Sequence, residues 1–277
     1  MSHKAFIQSV FGSRDQNVFP GSHPVSIERR HFPLLKKNPY VVCEKTDGIR
    51  YLLTCFMDGV RKMCFLVNRK LEATLVTFCI PRNTLLDGEL IDVHGEKYFM
   101  IFDGLMVNGV DIQKMNYIDR LKSIEPITKG PSKGIKLRMK TMWPLSDIID
   151  VKPSLDYETD GYILTPVNEP VKMETHETMF KLKRLEGNTI DFKVLYKNGV
   201  YGLYVWDRGD YILEGVCVDG EKYVDQIVEC WYRDGHWYPL KIRNDKGRPN
   251  NRRTFFRTLI NIRENIQPSE ISIAVQG

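Results

Sequence analysis

No stretch of this 277-residue chain approaches the run of about 18 apolar residues that a membrane-spanning helix needs. The opening MSHKAFIQSVFGSR lacks the apolar core of a secretory signal, so the protein is expected to work inside a cell. Cysteine is sparse as well. The six (43, 55, 64, 79, 217 and 230) form no CxxC pair, and no histidines stand at zinc-finger spacing, which argues against a structural zinc site or a disulfide framework. They read as buried thiols. Internal repeats and low-complexity segments are also lacking. With 42% hydrophobic and 27% charged residues, what remains is an ordinary globular chain with room for one or two domains.

The net charge of +5 is modest but unevenly spread. KGPSKGIKLRMK (129 to 140) carries five cations and no acid, and KIRNDKGRPNNRR (241 to 253) carries six cations and one acid. Each run is either a solvated surface or a place for phosphates or nucleic acid.

The first half reads as short strands (YVVCE, YLLTCF, KMCFLV, LLDGELIDV, KYFMIFDGLMV), with turn signals at Asp58-Gly59 and His94-Gly95. The spacing of Met115, Ile118 and Leu121 predicts a helix over 115–122, and a short helix is expected over 144–149. DGYILTP and MFKLKR add two strands. Beyond residue 188 come five apolar-aromatic runs (TIDFKVLY, VYGLYVW, YILEGVCV, DQIVECWYR, WYPLKIR), with Asn198-Gly199 and Asp234-Gly235 as tight turns. Five such strands suggest a small OB-type barrel, its tryptophans serving as core or as a stacking platform for bases. RTFFRTLINIRENI follows as a helix with Phe255, Leu259 and Ile262 on one face.

The polar residues that interrupt these strands fall in an order. Lys45, Thr46, Asp47, Gly48 and Arg50 stand between two apolar runs, and Arg69 ends the strand KMCFLVNR. LLDGEL brings Glu89, MIFDG brings Phe102 and Asp103, and TDGYIL brings Asp160. In MFKLK, Lys181 and Lys183 at i and i+2 are expected on one strand face, with Phe180 and Leu182 on the other. RNDKGRPN supplies Arg243, Asp245, Lys246 and Asn250. Any one of these suits a surface turn or an ion pair; the ordered set is far harder to explain that way.

This set, spanning nearly the whole chain, resembles the covalent nucleotidyltransferase superfamily of DNA ligases, RNA ligases and mRNA capping guanylyltransferases. The Thr-Asp-Gly start of TDGYIL, the RxDKxxPN form of the last motif and the phrase NTIDF resemble the capping enzymes most, particularly the compact ones of large DNA viruses. The resemblance implies an α+β fold: an ATP-grasp-like nucleotidyltransferase domain of antiparallel sheets and helices (1–187), then an OB-fold domain (188–255). A terminal helix (256–277) is left to cap the barrel or to pack back on the first domain.

What the resemblance implies chemically is a two-step transfer. Lys45 would attack the α-phosphate of GTP, and the GMP on it would pass to the 5′-diphosphate end of an RNA, giving GpppRNA. A lysine amine is almost wholly protonated at neutral pH, so neighbouring cations are needed to favour the neutral nucleophile. Lys181 and Lys183 would meet the α-phosphate, and Arg243 and Lys246, with Asp191 and Asp245 beside them, the β- and γ-phosphates. Arg50, Arg69 and Glu89 would lie near ribose or phosphate, Phe102 would stack on guanine, and Lys140 with Thr46 would read its O6. Glu89 and Asp160 would hold Mg²⁺ or Mn²⁺.

Because Lys45 and Arg243 fall in different segments, the domains are expected to close on GTP and reopen for RNA. About 40 residues precede the first motif and little chain follows the barrel, so RNA triphosphatase and cap methyltransferase activities are expected from other polypeptides. RNA polymerase is a candidate docking partner, the chain is expected to be a monomer, and host cytoplasm, nucleus and virion all remain open. The competing readings are an ATP-dependent polynucleotide ligase and an inactive OB-fold nucleic-acid-binding protein.

Overall fold

The computed structural model describes residues 2–12, 19–130 and 133–276. The chain divides into two compact units. The first comprises Met1–Val25, Phe32–Lys181 and Pro268–Gly277, and the second comprises Ser26–His31 and Leu182–Gln267.

Two sheets build the first unit. One runs in the order Ser22–Ser26, Glu174–Leu182, Thr159–Pro166, Tyr40–Thr46, Trp143–Pro144. The other runs Ala73–Val76, Arg61–Asn68, Ile49–Asp58, Thr84–Val93, Glu96–Val107, Val110–Asp111, with Ile135–Met139 laid parallel to Glu96–Val107. Strand alternation explains how this second sheet is covered. Leu53, Cys55, Leu86, Phe99 and Ile101 face one way, into a cluster with Tyr117, Leu121 and Ile124 of the helix Tyr117–Ile124. Leu52, Phe56, Val67 and Leu85 face the other way, against Phe6, Ile7, Val10 and Phe11 of the helix His3–Phe11.

Lys45 and Arg50 therefore belong to different sheets. Tyr40–Thr46 lies in the first and Ile49–Asp58 in the second, so Asp47-Gly48 is a crossing between layers, where a hairpin turn was the plain alternative. Gly48 is required there by closeness: a Cβ on it would stand 2.9 Å from the Leu90 carbonyl oxygen and 2.8 Å from Ile91 Cγ2. Asp47 contributes its backbone N–H to the Glu158 carbonyl at 3.3 Å.

The second unit is a five-stranded antiparallel sheet in the order Asp210–Val216, Val200–Asp207, Thr189–Lys197, Ile227–Arg233, His236–Ile242. Its two edge strands also touch, closing the small barrel of an OB fold. Asn198-Gly199 and Asp234-Gly235 all have positive φ, as two-residue hairpin turns require. Phe192 packs edge to face against both Trp237 and Phe255 in the core, so Trp237 is a core residue and not a base platform. Phe255, Leu259 and Ile262 of the helix Arg252–Glu264 seat against that core, and the chain then leaves for a second helix, Pro268–Gln276, that belongs to the first unit.

Two local expectations need correction. The helix predicted over 115–122 spans Tyr117–Ile124, because the Asn116 side chain caps it by accepting from the Asp119 N–H. Arg120, polar by type, is buried in its inner face through a paired contact with Asp103, at 2.7 and 2.9 Å. Of the six cysteines, all thiols, Cys79 is exposed while the other five are buried. Two residues of the basic run 129–140, at positions 131 and 132, lie outside the described residues.

Candidate active site

Lys45, one residue before the end of its strand, lies opposite an irregularity of the neighbouring one. Thr46 pairs with Thr159 and Glu44 with Tyr162, so Asp160 and Gly161 together oppose Lys45 in a β-bulge. Gly161 takes φ 99°, which few side chains tolerate. The bulge turns Asp160 toward the lysine, and Lys45 Nζ donates to Asp160 Oδ2 at 2.9 Å, with both side chains about a quarter exposed.

Glu44 and Thr46 point to the opposite face of that strand and are buried. Lys140 reaches in beside them: its Nζ donates to the Glu44 carbonyl at 3.0 Å and lies 3.8 Å from both Glu44 Oε1 and Glu89 Oε2. The Tyr157 hydroxyl donates to Glu44 Oε1. Two atoms in this nest, Glu44 Oε2 and Thr46 Oγ1, are buried without a hydrogen bond of good geometry, although Glu89 lies beside the Thr46 hydroxyl. Burial pushes the Glu89 carboxyl above its usual range, against the pull of Lys140 and Lys45.

Arg50 sits in a second nest. Its Nε and Nη2 both bond the Asp87 carboxylate, the former at 2.9 Å, and Nη1 donates to the Ser22 carbonyl at 2.7 Å. The Phe19 and Phe102 rings each lie 5.3 Å from the guanidinium carbon. Burial opposes the charge, but Asp87 overcomes it and the Arg50 pKa rises.

The cations Arg50, Arg69 and Lys181 are all felt at His23. Burial first, then Arg50 and Arg69, with Lys181 adding to them, bring its imidazole down to about 4, against a smaller upward pull from Asp87. His176 falls to about 4 as well, through burial and Lys172. Both therefore stay neutral in the folded protein at pH 5, where unfolded imidazoles near 6.5 take up a proton. Stability should fall as the pH drops from 6.5 towards 4. Urea midpoints measured across that range should decline less steeply in a His23→Gln/His176→Gln variant; an unchanged decline would rule the two histidines out as its source.

The sequence-predicted residues thus divide. Lys45, Thr46, Glu89, Lys140 and Asp160 are brought together around the strand Tyr40–Thr46, and Arg50, Phe102, Arg69 and Lys181 gather about His23 and Asp87. In this structure Phe102 lies against Arg50, and Lys140 is enclosed. The strand carrying Lys181 ends at Leu182, so Lys183 leaves its face, joins the second unit and donates to the Gly187 carbonyl at 3.1 Å. In that unit Asp191 is buried as the hub of the last motif. Arg243 Nη1 meets it at 3.0 Å, Lys246 bonds its other oxygen, and Asn250 ties its backbone at 2.8 Å. Arg243 also holds Asp245 at 2.8 and 2.9 Å, which depresses that carboxyl and raises the arginine. Sequence reasoning missed Asp87, Glu44, His23 and Tyr157. Asp87 had a signal, since it stands two residues before Glu89 and therefore shares its strand face.

The family model of the mRNA capping enzyme catalytic domain matches residues 2–185, and that of the mRNA capping enzyme C-terminal domain matches residues 152–272. The chain is 26% identical to a Neurospora crassa protein named mRNA-capping enzyme subunit alpha, over 91% of this chain and 83% of the relative. A Schizosaccharomyces pombe protein of the same name is 27% identical, over 97% and 82%. A solved structure of mycobacterial DNA ligase D complexed with ATP and MES is 14% identical with a TM-score of 0.49, over 84% of this chain and 97% of that one. With both domain models matched in order, the chain belongs to the mRNA capping enzyme family and carries the catalytic and C-terminal domains of a capping guanylyltransferase.

Proposed function

We propose that this chain transfers GMP from GTP, through a phosphoramidate on Lys45, to the 5′-diphosphate end of RNA. The observation that carries the reading is the Lys45–Asp160 contact at the bulge, 2.9 Å long and open to solvent on one side. Lys45 Nζ gives a proton to Asp160, the acceptor it bonds, and the neutral amine attacks the α-phosphorus; the N–P bond forms, the bond to the bridging oxygen breaks, pyrophosphate leaves and the second N–H proton passes to solvent. In the second step a terminal oxygen of the RNA diphosphate attacks the same phosphorus. The N–P bond breaks, Lys45 recovers its proton and GpppRNA is released.

Base selection follows from donor chemistry. Lys140, which can only donate, suits the O6 acceptor of guanine and opposes the amino group that adenine carries there, and the Thr46 hydroxyl can donate to the same O6. The Phe102 ring offers a face to the base. Among the described residues no group of three His, Cys, Asp or Glu side chains stands ready to cage a metal. Mg²⁺ needs only one or two carboxylates when phosphates complete its shell, and Asp160, which bonds Lys45, with Glu89, which feels the charge of Lys45, fits that demand for Mg²⁺ or Mn²⁺. Such an ion would neutralise charge gathering on the phosphoryl oxygens.

The fungal relatives are named as alpha subunits. A separate polypeptide that supplies diphosphate-ended RNA, and another that methylates the cap, complete the proposal. To test it, the chain is incubated with α-labelled GTP or ATP and then with diphosphate-ended RNA. Covalent label from GTP alone, prevented when a chelator is present during labelling and passed on to RNA, is the expected result. Labelling by ATP in preference to GTP would assign ligase chemistry instead.

A further inference from the structure

We propose that the edge strand Ile135–Met139 is where the 5′ segment of single-stranded RNA lands, its phosphates meeting Lys136 and Arg138. The proposal rests on the guanylyl-transfer reading, because it names the path of that reaction's second substrate.

Alternation along the strand separates two faces. Ile135, Leu137 and Met139 pack against the core, while Lys136 and Arg138 are exposed. Register then ties the exposed face to the site. Arg138 pairs with Met100, Met100 with Glu89, and Glu89 with Arg50, so these four form one row across a single sheet face. Lys136, Tyr98 and Ile91 form the next row. With strands about 4.8 Å apart, the Arg138 backbone stands roughly 10 Å from that of Glu89. The chain continues directly from Met139 to Lys140, whose Nζ bonds the carbonyl of Glu44, the neighbour of Lys45. Two cations at i and i+2, about 6.6 Å apart, match successive phosphates of an extended strand and lead toward the nucleophile.

The charges on this edge are available to a polyanion. Lys136 is held by Glu96, both oxygens at 2.7 Å, but both side chains are more than half exposed, where an ion pair contributes little and yields to phosphate. Tyr98 lies under both cations, 5.3 Å from Lys136 Nζ and 5.7 Å from the Arg138 guanidinium carbon, and so steadies them over the sheet. Lys133 adds exposed positive charge at the far end of the strand.

The test uses the full chain and its Lys136→Ala/Arg138→Ala variant, with a fluorescent single-stranded RNA bearing a 5′-diphosphate. Anisotropy should show binding weakened severalfold and a plot of log affinity against log salt shallower by about 1.4, near 0.7 for each phosphate that is no longer neutralised. Covalent labelling by GTP should proceed at the parental rate, and Lys136→Arg/Arg138→Lys should keep the RNA affinity. Parental affinity and salt slope in the alanine variant would overturn the proposal. Absence of GTP labelling in the parent chain would instead count against guanylyl transfer, and the anisotropy would still decide the landing strand.

Discussion

Lys45→Ala and Lys45→Arg are both expected to abolish covalent nucleotide labelling, by more than about a thousandfold, while leaving the fold intact. Arginine keeps the charge opposite Asp160 but offers no amine that can be neutral at working pH. Loss in both variants therefore separates nucleophile from counter-ion. Asp160→Asn should slow labelling by about 10²-fold or more without abolishing it, since it removes the proton acceptor and leaves the amine. None of the three should change the thermal midpoint much: the Lys45–Asp160 pair is partly exposed, and such pairs contribute at most about 1 kcal/mol. Residual labelling in Lys45→Ala, at a rate near the parental one, would show that another residue carries the nucleotide.

Why that lysine could be found in the sequence, and its surroundings only in part, follows from what each depends on. KTDGIR stands out because a charged run between two apolar strands needs a reason, and Asn198-Gly199 and Asp234-Gly235 announce hairpins through their own backbone preferences. These are local signals. The crossing between two sheets at Asp47-Gly48 is not local: it depends on Tyr40–Thr46 pairing with Thr159–Pro166, more than a hundred residues away. The bulge that aims Asp160 is a feature of that same pairing. Arg50 was legible as a site residue, but its partner Asp87 lies diagonally across a strand pair, at a register no spacing reveals. By composition Lys140 is one more cation of a basic run that only the resemblance singles out, and only the fold encloses it while leaving Lys136 and Arg138 outside. The helix His3–Phe11 was missed although its signal was present: Ser2 caps it, and Phe6, Ile7, Val10 and Phe11 recur at helical spacing.

Asp87→Ala should produce the largest loss of stability at the site, about 3–5 kcal/mol in the first unit. The variant leaves the Arg50 guanidinium, with only 6% of its side chain exposed, facing the charge of Arg69 with its bidentate acceptor gone. The Ser22 carbonyl, the two aromatic rings and the pull of the Glu89 and Asp103 carboxylates remain, and none of them replaces a bidentate partner. For a chain of this size the deficit corresponds to a drop of about 10 °C in the first unit's unfolding midpoint, read by calorimetry. A companion variant separates structure from chemistry. Arg50→Met/Asp87→Leu removes both charges and should recover most of the missing stability, because an apolar pair can replace a buried ion pair at little cost. It should not recover GTP labelling if the Arg50 guanidinium serves the nucleotide. Full activity in the double variant would make the Arg50–Asp87 pair a structural fixture, and full stability in Asp87→Ala would mean that Arg50 swings out to water when its partner is removed.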